Sequence, residues 1–162
     1  MGSDAYLETV RRRWADAGFK PEPPAPGAAI QARKRRIKLT RFGLVETVVA
    51  VSAPHATATP EDVRTFAAAV LQTALERKSK IPRGFGSSLV VYPGFVVQDA
   101  SPELREFISG HAPKHWSVIE FPVVVETGSQ ALICYEKTPL WGAAYYRKTR
   151  REARSLLDPA PR

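Results

Sequence analysis

Residues 88–98 read SLVVYPGFVVQ, and with residues 99–126 they set how the sheet is connected. It is a β-branched run with a Pro-Gly kink, the mark of a strand. Ser101-Pro102 then opens a short helix through Leu104, Phe107 and Ile108 to Gly110, and Val118 to Glu126 is β-branched again. Strand, helix and strand over this length make a parallel crossover. Upstream, Ala28–Lys34 and Ile37–Val51 form a hairpin or a long bent pair, with Gly43 as turn or bulge. Downstream, Val118–Glu126 and Ala131–Lys137 flank Thr127-Gly128-Ser129-Gln130, a tight turn. A parallel unit between two antiparallel hairpins gives a mixed sheet.

Three more helices supply its cover. Residues 4–17 place Leu7, Val10, Trp14 and Ala17 on one stripe and stop at Gly18. Residues 60–78 begin with Thr59 as cap, Pro60 in the first helical position and Asp62 completing a capping box. Val63, Phe66, Ala67, Val70, Leu71 and Ala74 then share a face. The last helix starts at Thr138-Pro139 and runs to about Leu157. The expected fold is α+β: a single domain over residues 1–157, with residues 158–162 as a frayed tail. Its mixed sheet has about five strands and about four covering helices, in the order α-β-β-α-β-α-β-β-α.

Composition narrows the class. A chain of 162 residues buries enough surface to fold without a staple, and its one cysteine makes no internal bridge. The apolar runs (Phe66 to Leu71, Leu140 to Tyr146) are too short to span a bilayer. Asp4, Glu8 and Asp16 interrupt the N-terminal apolar residues, unlike a signal peptide. The expectation is a cytoplasmic protein.

The net charge of +8 is uneven. Residues 1–41 hold 10 basic and 4 acidic side chains, residues 42–146 hold 8 and 10, and residues 147–162 hold 6 and 2. All of the positive excess therefore sits at the two ends. Arg outnumbers Lys 16 to 8 and Asn is absent, a composition a GC-rich genome encodes. Even so, like charges confined to two short segments raise the local potential and attract phosphate or anionic lipid.

Enzyme chemistry finds little support. His111 and His115 are four apart, but Gly110 and Pro113 break any helix that would align them on a metal. Cys134 lies in a strand as a small buried side chain. Arg83-Gly84-Phe85-Gly86-Ser87-Ser88 has the makings of an anion nest, but it precedes a strand and lacks the Gly-Lys-Ser/Thr ending of a phosphate loop. Glu46, Glu126 and Glu136-Lys137 invite comparison with the restriction-endonuclease-like core, a degenerate version of which would make a metal-dependent nuclease. That core requires two carboxylates and a Lys converging on a metal. Here Glu136 and Lys137 are adjacent and point to opposite faces of a strand, and the pairing of Glu120 with Glu126 has no Lys to complete it. The sequence thus nominates no catalytic residue, no metal ligand and no cofactor.

Binding fares better. Lys34, Arg36, Lys38 and Thr40 share a strand face, with cations at ~6.6 Å intervals, near the phosphate repeat of an extended single strand. Phe42 continues that face as a stacking surface. Such a row also protects a sheet edge from aggregation. In the last helix Trp141, Tyr145 and Lys148 lie in line, with Arg147, Arg150 and Arg151 close by. Aromatics beside cations suit a stacked base and its phosphate, or a peripheral contact with anionic membrane; as plain amphipathic cover they would pack on the sheet. The candidate anion-binding residues are Lys34, Arg36, Lys38, Arg41, Arg83, Trp141, Arg147, Lys148, Arg150 and Arg151. The expected function is non-enzymatic binding of an anionic partner, nucleic acid first. The alternative is a protein-interaction module or homo-oligomer pairing at a strand edge, its charge serving solubility.

Overall fold

The computed structural model describes residues 2–38, 43–79, 87–115, 118–137 and 143–160. Four helices, α1 (Ser3–Asp16), α2 (Pro60–Glu76), α3 (Pro102–Gly110) and α4 (Ala143–Leu157), pack on one mixed sheet. Its strands are β1 (Lys20–Pro21), β2 (Ala28–Lys38), β3 (Gly43–Ser52), β4 (Ser87–Val97), β5 (Lys114–His115), β6 (Val118–Glu120), β7 (Val123–Glu126) and β8 (Ala131–Cys134). The order is β1-β2-β3-β4-β6-β5, with β7 beside the second half of β4 and β8 beyond β7. β3, β4, β6 and β7 are parallel to one another; β2 and β8 flank them antiparallel. The α+β class agrees with the sequence reading and the element order agrees roughly, the two-residue β1 and β5 and the division of residues 118–126 making eight strands where about five were expected.

The faces follow from connection handedness. The chain steps from β3 through α2 to β4, then through α3 to β6 and β7, always in one direction across the sheet. Right-handed crossovers then place α2 and α3 on the same face. Val63, Phe66, Val70, Leu104 and Ile108 pack there on Val48, Ala50, Leu89, Val91 and Val124. The other face is left to α1 and α4, whose Tyr6, Val10, Trp14, Ala153 and Leu157 cover Ile30, Val49, Tyr92 and Val123. Covered on both sides, the central strands are continuous runs such as Val48–Val51.

Three details differ from expectation. The run from Val118 to Glu126 is broken at Phe121-Pro122 into β6 and β7. The Pro-Gly kink opposite explains why the break is tolerated. Val91 O accepts from Phe121 N at 2.9 Å, so strand alternation aims the same edge of Pro93 at the break, and its missing N–H deprives no ladder partner. On α1 the buried stripe is Tyr6, Val10 and Trp14, with Leu7 only partly covered. Residues 158–160 are held rather than frayed: Asp158 O accepts from Arg13 Nη1 at 2.8 Å, and Pro159 is buried. The start expected for the last helix, Thr138-Pro139, lies outside the described residues.

The helix starts match their sequence signals. Thr59 and Asp62 exchange backbone and side-chain bonds, Asp62 Oδ2 accepting from Thr59 N at 2.8 Å. Ser101 Oγ accepts from Leu104 N at 3.1 Å to open α3. At the β7–β8 turn, Gly128 N donates to Gln98 O at 2.9 Å; a Cβ there would sit 2.7 Å from that oxygen, so only glycine allows the approach.

Candidate anion-binding site

Across the α1/α4 face the sheet register lines up residues in rows. The row Ala32–Val49–Tyr92 is buried under the helices. The next row, Lys34–Thr47–Val90–Ile119, and the one after it, Arg36–Val45–Ser88, mix polar and apolar groups. The change coincides with the end of α1 at Asp16, where the cover from that helix stops. Period-two alternation puts Lys34 and Arg36 on this face with Ile30 and Ala32, and Arg33 and Arg35 on the other.

Here lies a groove of about 240 Å³ between β2 and α4. Lys34 and Arg36 line one wall; Lys148, Thr149 and Glu152 line the other; Thr47, Ser88 and Tyr92 contribute from the sheet. Lys148, Glu152 and Ser155 succeed one another at helical spacing, so a single stripe of α4 faces the groove. The fully buried Tyr92 donates its hydroxyl to Glu152 Oε2 at 2.9 Å. Lys34 Nζ donates to Ala17 O, the carbonyl at the end of α1, and sits 5.5 Å from the centre of the Phe19 ring. Burial first, and then the neighbouring Arg36 charge, hold the Lys34 ammonium below its usual range, opposed by Glu152.

The structure therefore brings the two basic ends together: Lys34 and Arg36 from the first share the groove with Lys148 from the second. Arg147 and Arg151 are exposed and do not line the groove. Arg150 turns inward, its Nε donating to Tyr135 O at 3.0 Å, which ties α4 to the segment after β8. Lys38 ends β2, its side chain not among those described, and Arg41, Arg83 and Trp141 lie outside the described residues, as do Thr40 and Phe42. Sequence reading missed Glu152, Tyr92 and Thr47. The available signals were a carboxylate one turn beyond Lys148 and a threonine inside a valine run.

The strand-end carboxylates are occupied elsewhere. Glu46, fully buried, accepts from Arg33 Nη1 at 2.9 Å, Arg35 Nε at 3.1 Å and Ser79 N at 2.8 Å. Burial raises its pKa, but these donors outweigh burial and bring it down to about 2. Arg33 also binds Glu22 and Ala74 O, so the network joins β2, β3 and the end of α2. Glu126 accepts from Arg105 Nη2 at 2.6 Å, Ala100 N at 2.7 Å and the Ser129 hydroxyl. Burial works against its ionisation; Ser129, Ala100 and Arg105 overcome it and lower the pKa. Glu46 aligns with Leu89 and Glu126 with Val97, eight residues along β4, which is roughly 26 Å and too far to share an ion.

His115 Nε2 lies 2.6 Å from Glu120 Oε2, while His111 stacks on Phe107. Among the described residues no group of three or more His, Cys, Asp or Glu side chains is placed to hold a metal. Cys134 is buried, and burial pushes its thiol up. Among the same residues no helix is long and apolar enough to cross a membrane. No family model, curated protein or solved structure matches the chain.

Proposed function

We propose that this is a non-enzymatic nucleic-acid-binding protein of the cytoplasm, holding a single strand by its phosphates along the groove between β2 and α4. The observation that carries the reading is the meeting of Lys34 and Arg36 with Lys148 on one groove. Two basic segments from opposite ends of the chain thereby add their potentials at one place. Lys34 is engaged with the end of α1, so its charge contributes to the field more than its donors do. Arg36 and Lys148, exposed in the groove, make the phosphate contacts there, and the exposed Arg147 and Arg151 add contacts where the strand leaves it.

The test is anisotropy of labelled single-stranded RNA and DNA with the Arg36→Ala, Arg147→Ala, Lys148→Ala, Arg151→Ala quadruple variant. Loss of each phosphate contact lowers the slope of log affinity against log salt by about 0.7. Unchanged affinity and slope would refute the reading.

One observation favours a second reading, a protein-interaction module. β1 pairs only with Ala32 and Arg33, so among the described residues Lys34–Lys38 has no strand on its outer edge, and Ile37 there is 79% exposed. Opposed rows of like charge disfavour pairing of two β2 strands, so an acidic partner strand is the form this reading takes. Pull-down or light scattering that shows association without nucleic acid would support it.

A further inference from the structure

A groove that reads only phosphate gains nothing from a carboxylate, which repels the ligand. Yet Glu152 lines this one, half-buried, one turn along α4 from Lys148. It is also held there: Tyr92, fully buried in the central strand, donates to its Oε2 at 2.9 Å. Among the described residues no cation lies within ion-pair distance of Glu152. Its charge reaches Lys34 through space, without an ion pair. A carboxylate held in this way is an acceptor presented to a ligand.

We infer that Glu152 accepts a hydrogen bond from a ribose 2′-hydroxyl, so that the groove selects RNA over DNA. The inference rests on the nucleic-acid reading above. In a polynucleotide the 2′-hydroxyl and its 3′ phosphate belong to the same step of the backbone. Lys148 and Glu152, one turn apart on α4 with about 6 Å of helical rise between them, suit that pairing of anion and donor. The 2′-hydroxyl is the one backbone group that separates the two nucleic acids, and a fixed acceptor reads it without regard to base. The buried Tyr92 hydroxyl keeps the carboxylate from turning away when the groove is empty.

The experiment compares one sequence as single-stranded RNA, DNA and 2′-O-methyl RNA, by anisotropy at one salt concentration, on wild type and on Glu152→Ala and Glu152→Gln. Circular dichroism checks that the variants fold. A hydrogen bond to a carboxylate predicts about tenfold preference for RNA in wild type, with 2′-O-methyl RNA binding like DNA. Glu152→Ala should bring the three ligands together, RNA losing affinity while DNA and 2′-O-methyl RNA keep theirs or gain from the removed negative charge. Glu152→Gln should keep part of the preference, because its amide oxygen still accepts. Equal binding of RNA and DNA by wild type overturns the inference and leaves the nucleic-acid reading standing. So does a Glu152→Ala variant that binds all three more tightly, since the carboxylate would then only temper the field. Absence of binding to any of the three at about 50 mM salt removes the nucleic-acid reading and this inference with it.

Discussion

Tyr92 in the middle of β4 and Glu152 on α4 are joined by a 2.9 Å hydrogen bond under the groove. The bond anchors a helix to the sheet and orients the carboxylate. Tyr92→Phe keeps the ring packed on Phe121 and removes the donor. It should cost about 1 kcal/mol by urea denaturation and reduce discrimination between RNA and DNA, with DNA affinity unchanged. Lost stability with intact discrimination would reduce the tyrosine to an anchor.

The buried Glu46 network makes stability depend on acid. The ordinary carboxyl pKa is 4.5 and the folded value is about 2, so the contribution is complete above about pH 4.5 and is lost as pH falls toward 2. Glu46→Gln removes that titration while keeping the shape. Between about pH 5 and pH 2.5 the urea midpoint of wild type should fall further than that of Glu46→Gln. Glu46→Ala leaves Arg33 buried without one of its partners and should cost about 3–5 kcal/mol at neutral pH. Parallel midpoint curves for wild type and Glu46→Gln would contradict the ion-pair account.

The end of α4 is closed by side chains of α1. Tyr6 donates to Leu157 O at 2.8 Å, Trp14 to Leu156 O at 3.1 Å and Arg13 to Asp158 O at 2.8 Å. The last carbonyls of a helix have no partner inside it, and here Tyr6 and Trp14 supply those of Leu157 and Leu156, with Arg13 holding the next residue, Asp158. Tyr6→Phe strands a buried carbonyl and should cost about 1–3 kcal/mol, measured by thermal or urea unfolding. A cost near zero would mean that water reaches Leu157.

Lys34 is a structural cation as much as a binding one. Its ammonium donates to the carbonyl of Ala17, the residue that closes α1, a place where a positive charge also meets the negative end of the helix dipole. Lys34→Ala should therefore lower stability by about 0.5–1 kcal/mol, whereas Arg36→Ala should leave it nearly unchanged. Equal and negligible effects in both variants would contradict the capping role.

Much of this architecture was legible in the sequence, for physical reasons. Thr59-Pro60 and Ser101-Pro102 are local signals with a mechanism, and α2 and α3 start where they stand. The crossover through α3 followed from element lengths alone. The break at Phe121-Pro122 was not legible, because its tolerance depends on Pro93 in the neighbouring strand. Nor were β1 and β5, two residues each and defined only by their partners. For the site, alternation along β2 placed Lys34 and Arg36 on one face. That Lys148 would meet them was a matter of tertiary packing. Arg150, indistinguishable in sequence from Arg147 and Arg151, faces inward because of where α4 lies against Tyr135.

On the proposed reading the two basic segments act as one surface. A double-mutant cycle of Arg36→Ala and Lys148→Ala, read by anisotropy of labelled single-stranded RNA at about 50 and about 200 mM salt, tests it most directly. A shared surface predicts steep salt dependence in wild type, a shallower slope in each single variant, and a coupling energy of at least about 0.5 kcal/mol between the two sites. Affinity unchanged in both single variants, or lost in one and untouched in the other, would contradict it.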